Sequence, residues 1–492
     1  VDLIPVLLPV VLLTSAVLAA LAGEWRPALA RWIALAAIVT STTLAVVGLV
    51  HVLDHGPVVN QIGGWPPPIG IEYVLDPLAA YVAVVVGLIG TFVVAYPPRP
   101  GFGLELRRRV PLYPLVLLLL GGLMGVTVTG DLFHLFVFLE IYAIASYALV
   151  SLGGPRASFA SLRYLIFGTI GSGLYLLGVG FLYFTTGSLN MADVAGLLRG
   201  IEGNEAVLAA LALIVVGLGV KMALFPMHVW LPEAHSYAPP AVAALLAAVQ
   251  VKVAAYALIR ILYGVFGVEW VTVDVPVAEL LTWFGAAGVV AGSVMAIRQR
   301  DLKRLLAYST VAQLGYLGIG IGLGTRAAIV AALFQVLSHA VMKSCLFFIA
   351  GGLIDRSGIK EIPRLAGLGR RMPILATCLT VAGVSMVGLP PTAGFFAKWY
   401  LLLASLDEGM PVLAVVIAAS SLLTLRYVLR LVETVWSSTD EVDPALADAS
   451  DPGPGVTVPV VVLAVSTVVI GVLNAAVVDS VLRPIAEQVL PG

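Results

Sequence analysis

Apolar runs of roughly twenty residues or more recur along the whole chain, near 3–22, 30–53, 73–96, 111–129, 131–152, 160–186, 206–231, 239–263, 276–297, 303–323, 326–353, 372–404, 410–436 and 455–478. A helix of about twenty apolar residues crosses the roughly 30 Å hydrocarbon core of a bilayer. The pattern therefore predicts an all-α, multi-pass membrane protein with about fourteen transmembrane helices. No long polar segment separates the runs, so no soluble domain is expected. The first run follows Asp2 rather than a basic flank, which argues against a cleaved signal peptide. The acidic, Pro/Gly-containing stretch 437–455 is the best linker candidate, and it is expected to detach the last helix.

Two runs carry breaks. Pro226 and Pro232 interrupt the seventh, and Gly388, Pro390, Pro391 and Gly394 interrupt the twelfth. Proline removes a helix hydrogen bond, and freed backbone groups persist at membrane depth only inside protein or beside a hydrated cavity. Broken helices at corresponding positions of two halves point to an ion site at a repeat interface. Spans seven and twelve are five apart, which predicts two five-helix repeats, spans 4–8 and 9–13. They must be inverted, because five is odd. The organisation expected is 1–110 (three N-terminal helices), 111–263 and 276–436 (the repeats), and 437–492 (linker and C-terminal helix). A plain proline kink without transport role is the alternative. The match between the breaks is imperfect, since Lys221 precedes its break and Lys398 follows its own.

Composition agrees with the pattern: 60% of residues are hydrophobic and 11% charged, under half the charge of a soluble domain. That excludes a soluble enzyme, a disordered scaffold and a nucleic-acid binder, which needs clustered Lys and Arg. The basic residues sort by side. Arg26 and Arg31; Arg99 and Arg107–Arg109; Arg156 and Arg163; Arg298, Arg300, Lys303 and Arg304; and Arg356, Lys360, Arg364, Arg370 and Arg371 all follow odd-numbered spans. The positive-inside rule puts these loops in the cytoplasm and both termini on the outer side of the cell membrane. Cys345 and Cys378 sit in apolar runs and read as small core residues. With no Walker loop, dinucleotide fingerprint or metal cluster, no cofactor and no metal are expected.

The informative charges are those inside the spans. Lys221, Lys252, Lys343, Lys398 and Glu140 each fall deep in an apolar run, at a cost of about 2.5–3.5 kcal/mol per charge at the bilayer centre. Structural pairing or snorkelling accounts for one such residue, but four lysines cannot all pair with one glutamate. Lysine, unlike arginine, gives up its proton readily when desolvated. All four being lysine, while the loops favour arginine, points to proton relay. Gln335, His339 and Lys343 recur every four residues and line one face of the eleventh helix. His339 titrates near neutrality when unperturbed, its bland alternative being a core histidine bonded to backbone. Ser309, Gln313 and Tyr316 on the tenth helix stand as helpers. Asp76 and Asp131 lie near helix ends, where the most expected of them is to guide cations. With Glu140 the one deep acid, a Na⁺ path is expected in, or shared with, another subunit.

The segment from Lys221 through Pro240 to Lys252, the segment Asp301–Thr310 and the segment Gly388–Lys398 resemble the core of the antiporter-like membrane subunits. These occur in the proton-pumping arm of respiratory complex I and in Mrp-type multisubunit cation/proton antiporters. The resemblance spans nearly the whole chain and implies a fourteen-helix fold with a polar axis through mid-membrane. By it, Glu140 pairs with Lys221, Lys252 connects the halves, His339 and Lys343 form the eleventh-helix pair, and Lys398 is the terminal group. Some complex I subunits carry glutamate at that last position, and the span after helix fourteen is short. On these grounds the resemblance implies a D-type Mrp Na⁺/H⁺ antiporter subunit, not an enzyme, with other antiporter subunits, protons, Na⁺ and the lipid bilayer as partners. The alternatives are a subunit of a redox-driven complex I-like or membrane-hydrogenase pump and a passive membrane scaffold.

Overall fold

A computed structural model describes residues 1–96, 111–438, 443–447 and 449–491. Arg99, Arg107–Arg109 and the boundary at 110 lie outside the described residues. All fourteen runs are helical: α1 (Ile4–Trp25), α2 (Pro27–His55), α3 (Pro77–Ala95), α4 (Leu112–Val128), α5 (Leu132–Ser151), α6 (Pro155–Thr186), α7a (Glu205–Met222), α7b (Leu231–Tyr237), α8 (Pro240–Phe266), α9 (Val277–Ile297), α10 (Leu302–Leu323), α11 (Arg326–Ser357), α12a (Pro373–Val387), α12b (Ala393–Asp407), α13 (Pro411–Trp436) and α14 (Pro454–Val472). Twelve are long and apolar enough to cross a membrane by themselves, and α4 and α12a are shorter apolar helices. Proline opens α2, α3, α6, α8, α12a, α13 and α14. Its missing N–H costs nothing there, and its fixed φ suits the first turn.

The repeat is legible in how helices begin and end. Asp131 caps α5, its carboxylate accepting from the His134 N–H at 2.6 Å. The chain beside it is held to the segment after α6 by Leu132 N–H to Leu189 O and Met191 N–H to Gly130 O, both 2.8 Å. About 170 residues later the construction recurs. Asp301 caps α10 through the Arg304 N–H at 2.9 Å, and Leu302 N–H to Lys360 O (2.9 Å) and Ile362 N–H to Arg300 O (2.8 Å) hold it to the segment after α11. Both α6 and α11 are 32 residues long, and both close on a left-handed glycine, Gly187 (φ 73°) and Gly358 (φ 68°). Five spans separate the copies, so each enters the membrane from the opposite face.

Three expectations need correction. The third span begins later than expected, after an antiparallel hairpin of β1 (Val58–Gln61) and β2 (Glu72–Leu75) that accompanies the all-α membrane fold. The hairpin takes residues 73–75 from the expected third span, because Asp76 starts α3 by accepting the Ala79 N–H at 2.8 Å. The acidic linker does not free the last helix. Arg364 Nε holds Asp443 at 2.8 Å, and the Asp451 carboxylate accepts the Ile374 and Leu375 N–H groups at 3.1 Å, capping α12a. With those ties α14 packs on α11, α12a and α12b. Lys303, expected among the loop cations, is buried, its ammonium bonded to Ala238 O. The free thiols of Cys345 and Cys378 are buried as expected.

Centre and rim differ sharply. The most apolar stretches of α8, α10 and α11 are 100%, 94% and 94% buried, against 39% for α1, α2, α6, α13 and α14. Two of the five intramembrane charges, Lys252 on α8 and Lys343 on α11, therefore lie on helices shielded from lipid.

Candidate functional site

The first half places Lys221 in the last turn of α7a. That helix stops at Ala223, in the left-handed region (φ 57°) with its N–H turned back to Val220 O and Gly219 O. Trp230, opening α7b, spans the break by donating its indole N–H to Val220 O at 2.9 Å. The C-terminal carbonyls of a half-helix carry partial negative charge and favour a cation. Lys221 Nζ stands 3.4 Å from Glu140 Oε1 and over the Tyr142 ring at 5.9 Å. The same carboxylate oxygen accepts the Ser172 hydroxyl from α6. The pair is asymmetric: the lysine side chain is 3% exposed and the glutamate 27%.

Between the halves, α8 departs from α-helical form over Leu246–Gln250, where a π-turn widens the spiral. Such a turn shifts carbonyls off their usual partners, and the Lys252 ammonium bonds one of them, Ala247 O. The last residue of the turn, Gln250, accepts from Ser146 Oγ at 2.9 Å and donates to the Tyr164 hydroxyl, so α5, α6 and α8 are linked by polar groups. Lys252 has no carboxylate partner among the described residues.

The second half contains no intramembrane carboxylate bonded to its lysines among the described residues. Lys343 donates to Leu306 O at 2.9 Å and to the Ser309 hydroxyl, and lies 3.7 Å from Met386 Sδ. Gln335 donates to Gln313 Oε1 at 2.6 Å. His339, fully buried, has no hydrogen-bond partner at either ring nitrogen among the described residues. Lys398, on α12b, reaches back to Val387 O (2.8 Å) and Met386 O (3.2 Å), touches Ser421 Oγ (3.2 Å) on α13 and lies over the Tyr316 ring at 5.1 Å. Tyr316 in turn shares a 2.6 Å hydrogen bond with Ser420.

These contacts resolve the mismatch between the two breaks. Lys221 stands two residues before the left-handed Ala223, and Met386 stands two before the left-handed Gly388 (φ 87°). Lys398 comes after its break in sequence, yet its ammonium lies on the Met386 carbonyl. Both ammonium groups thus sit at the C-terminal end of the first half-helix.

His235 falls inside the Lys221–Lys252 segment, but nothing in the sequence singles it out. It lies in α7b, fully buried, edge-on to Trp230 and Phe347, within electrostatic reach of Lys252, Lys343 and Lys303. His339 is in reach of Lys252, Lys343 and His235. The structure therefore gathers two histidines and two lysines from α7b, α8 and α11 into one central cluster. A lone histidine in a proline-rich segment gives no signal of that by spacing. Asp76 and Asp131 have other roles than guiding cations: both are helix caps, and Asp76 is also locked to Arg260 at 2.6 Å.

Buried lysines beside two broken helices in a fourteen-span fold are the build of an antiporter-like membrane subunit. Residues 129–424 match the family described as NADH:quinone oxidoreductase/Mrp antiporter, TM, and the chain belongs to that family. It is 44% identical over 492 residues to NADH-quinone oxidoreductase subunit N of Desulforudis audaxviator (strain MP104C), covering 98% of each chain. It is 30% identical over 493 residues to the D subunit of the Na(+)/H(+) antiporter of Alkalihalophilus pseudofirmus, covering 99% of this chain and 97% of the other. Among solved structures, a chain of the membrane-bound sulfane sulfur reductase, an archaeal respiratory membrane complex, superposes with TM-score 0.90 at 31% identity, covering 99% of this chain and 97% of that one. Those relatives are parts of multisubunit membrane complexes.

Proposed function

We propose that protons cross through the row Glu140–Lys221, Lys252, His339–Lys343 and Lys398. The observation that carries this is the burial of four lysines with one carboxylate among them. The Glu140–Lys221 pair holds the lysine charged, and separating the two lets it release its proton. The finer reading is a D-type subunit of a multisubunit Na⁺/H⁺ antiporter, lying in the cell membrane with both termini outside. In that reading 111–263 and 276–436 act as paired half-channels, 1–110 and 437–492 brace them, and Na⁺ moves through another subunit. The 44% identity to subunit N supports a second reading, in which the same row is driven by a redox reaction in partner proteins. The glutamate edge left exposed on α5 supports a neighbouring subunit in either case.

Purification from native membranes with identification of the co-purifying subunits separates the readings. Small antiporter subunits support antiport, and quinone-reductase or hydrogenase-like proteins overturn it. In reconstituted vesicles the complex should show Na⁺-dependent proton exchange and the isolated chain none. Exchange by the isolated chain would put the Na⁺ path back in this polypeptide.

A further inference from the structure

On the face that carries the basic loops, three long helices begin around one cavity of about 650 Å³. Gly153, Pro155 and Arg156 bring the start of α6, Pro239 and Pro240 the start of α8, and Lys303 the first turn of α10; Lys360, beyond the end of α11, closes the ring. Among the described residues of this lining Arg156, Lys303 and Lys360 carry the charge, and no carboxylate is among them. Lys303 is 6% exposed and donates to a neutral carbonyl, Ala238 O. Arg156 and Lys360 are exposed and have no ion pair among the described residues.

The opposing terms are smaller. Asp301 is near Lys303 but its carboxylate caps α10, and Glu361 follows Lys360 outside the lining. The C-terminal ends of α11 and the short α7b also border the cavity. Three basic side chains and the uncapped N-termini of α6 and α8, each roughly half a positive charge, outweigh them. The polar cavity built by Arg199, Glu202, Glu269 and Asp274 on the opposite face has the reverse character.

We propose that this cavity binds a phosphate group, carried by an anionic phospholipid headgroup or present as free phosphate. A basic pocket between membrane helices at the bilayer surface is suited to such a group, and the volume admits a glycerophosphate as well as phosphate alone. Bound there, the anion neutralises Lys303 and ties α6, α8 and α10 together at their starts.

The test is native mass spectrometry of the full chain in neutral detergent, with phosphatidylglycerol or phosphatidylcholine added, paired with thermal unfolding in millimolar inorganic phosphate. The expected result is one phosphatidylglycerol per chain held at least tenfold more tightly than phosphatidylcholine, or a phosphate-dependent rise in unfolding temperature. Lipid retention that phosphate fails to displace assigns the headgroup, and stabilisation by phosphate without lipid retention assigns the free ion. Either signal should fall at least tenfold in Lys303→Gln, and in the exposed pair Arg156→Gln/Lys360→Gln, which serves if Lys303→Gln does not fold. Equal retention of both lipids with no effect of phosphate, or signals unchanged in the folded variants, overturns the proposal.

Discussion

The two inverted units solve the same problem with different chemistry. Nine residues after its capping aspartate α5 carries Glu140, and nine residues after its own α10 carries Thr310, beside Ser309. Fifteen residues before its closing glycine α6 carries Ser172, whereas α11 carries Lys343. The first unit thus has acid on one helix and hydroxyl on the next, and the second has hydroxyl and then lysine. Each arrangement makes one contact across the same interface, Ser172 to Glu140 and Lys343 to Ser309. A charged partner makes the basicity of Lys221 depend on where Glu140 is. Carbonyl and hydroxyl dipoles, fixed by the helices, give Lys343 and Lys398 a steadier environment.

The largest effect should come from the end of the second unit. Lys398→Ala should abolish proton flux in vesicles read with a pH-sensitive dye, and Lys398→Arg should lose at least tenfold, about 1.4 kcal/mol or more on the barrier. Wild-type flux in the arginine variant would mean the site needs only charge. Next, Glu140→Gln should cost about tenfold or more while the complex still assembles. Undiminished flux there would remove the responsive element from the first unit.

Ser309→Asp imposes the chemistry of the first unit on the second, giving Lys343 an anion in place of a hydroxyl. Flux should fall several-fold, and a faster variant would show that the hydroxyl is a compromise. Asp76→Asn breaks the bolt from α3 to Arg260, whose side chains are 14% and 17% exposed. It should cost stability of about 3 kcal/mol, seen as a lower unfolding temperature with unchanged flux per folded molecule.

The smallest effect concerns the linker of the second unit. The Arg364 guanidinium bonded to Asp443 holds that carboxyl below its ordinary value. A depressed native value means the tie is intact above the ordinary carboxylate pKa of about 4 and is lost as pH falls through the lower native one. Cleavage of 437–455 by an acid-active protease should therefore begin at lower pH in wild type than in Arg364→Ala. Identical onsets would show that Asp451 alone secures the segment.

The fourteen helices, their breaks and the buried lysines were legible along the chain, because a bilayer imposes a length and an apolarity that local composition must meet. That Glu140 pairs with Lys221 was legible only through the resemblance to the antiporter-like subunits, since charge in an apolar run calls for compensation without naming the partner. His235 and the lysine of the basic cavity were not legible. His235 sits in a short, polar-looking connection, and Lys303 sits at a span boundary where basic residues are common. What makes each unusual is the enclosure supplied by other helices.

Sequence by itself determined which residues carry charge into the membrane, where helices start on proline and aspartate, and that two halves repeat. Those are local properties, set by hydrogen bonding within a few residues and by the cost of moving side chains out of water. Tertiary structure decided which groups meet. It carried the Lys398 ammonium back across a break to the position Lys221 occupies in the other half, gathered His235, Lys252, His339 and Lys343 between the units, and turned an apparent linker into a tie. A partner's position depends on how helices hundreds of residues apart pack, and no local pattern encodes that distance.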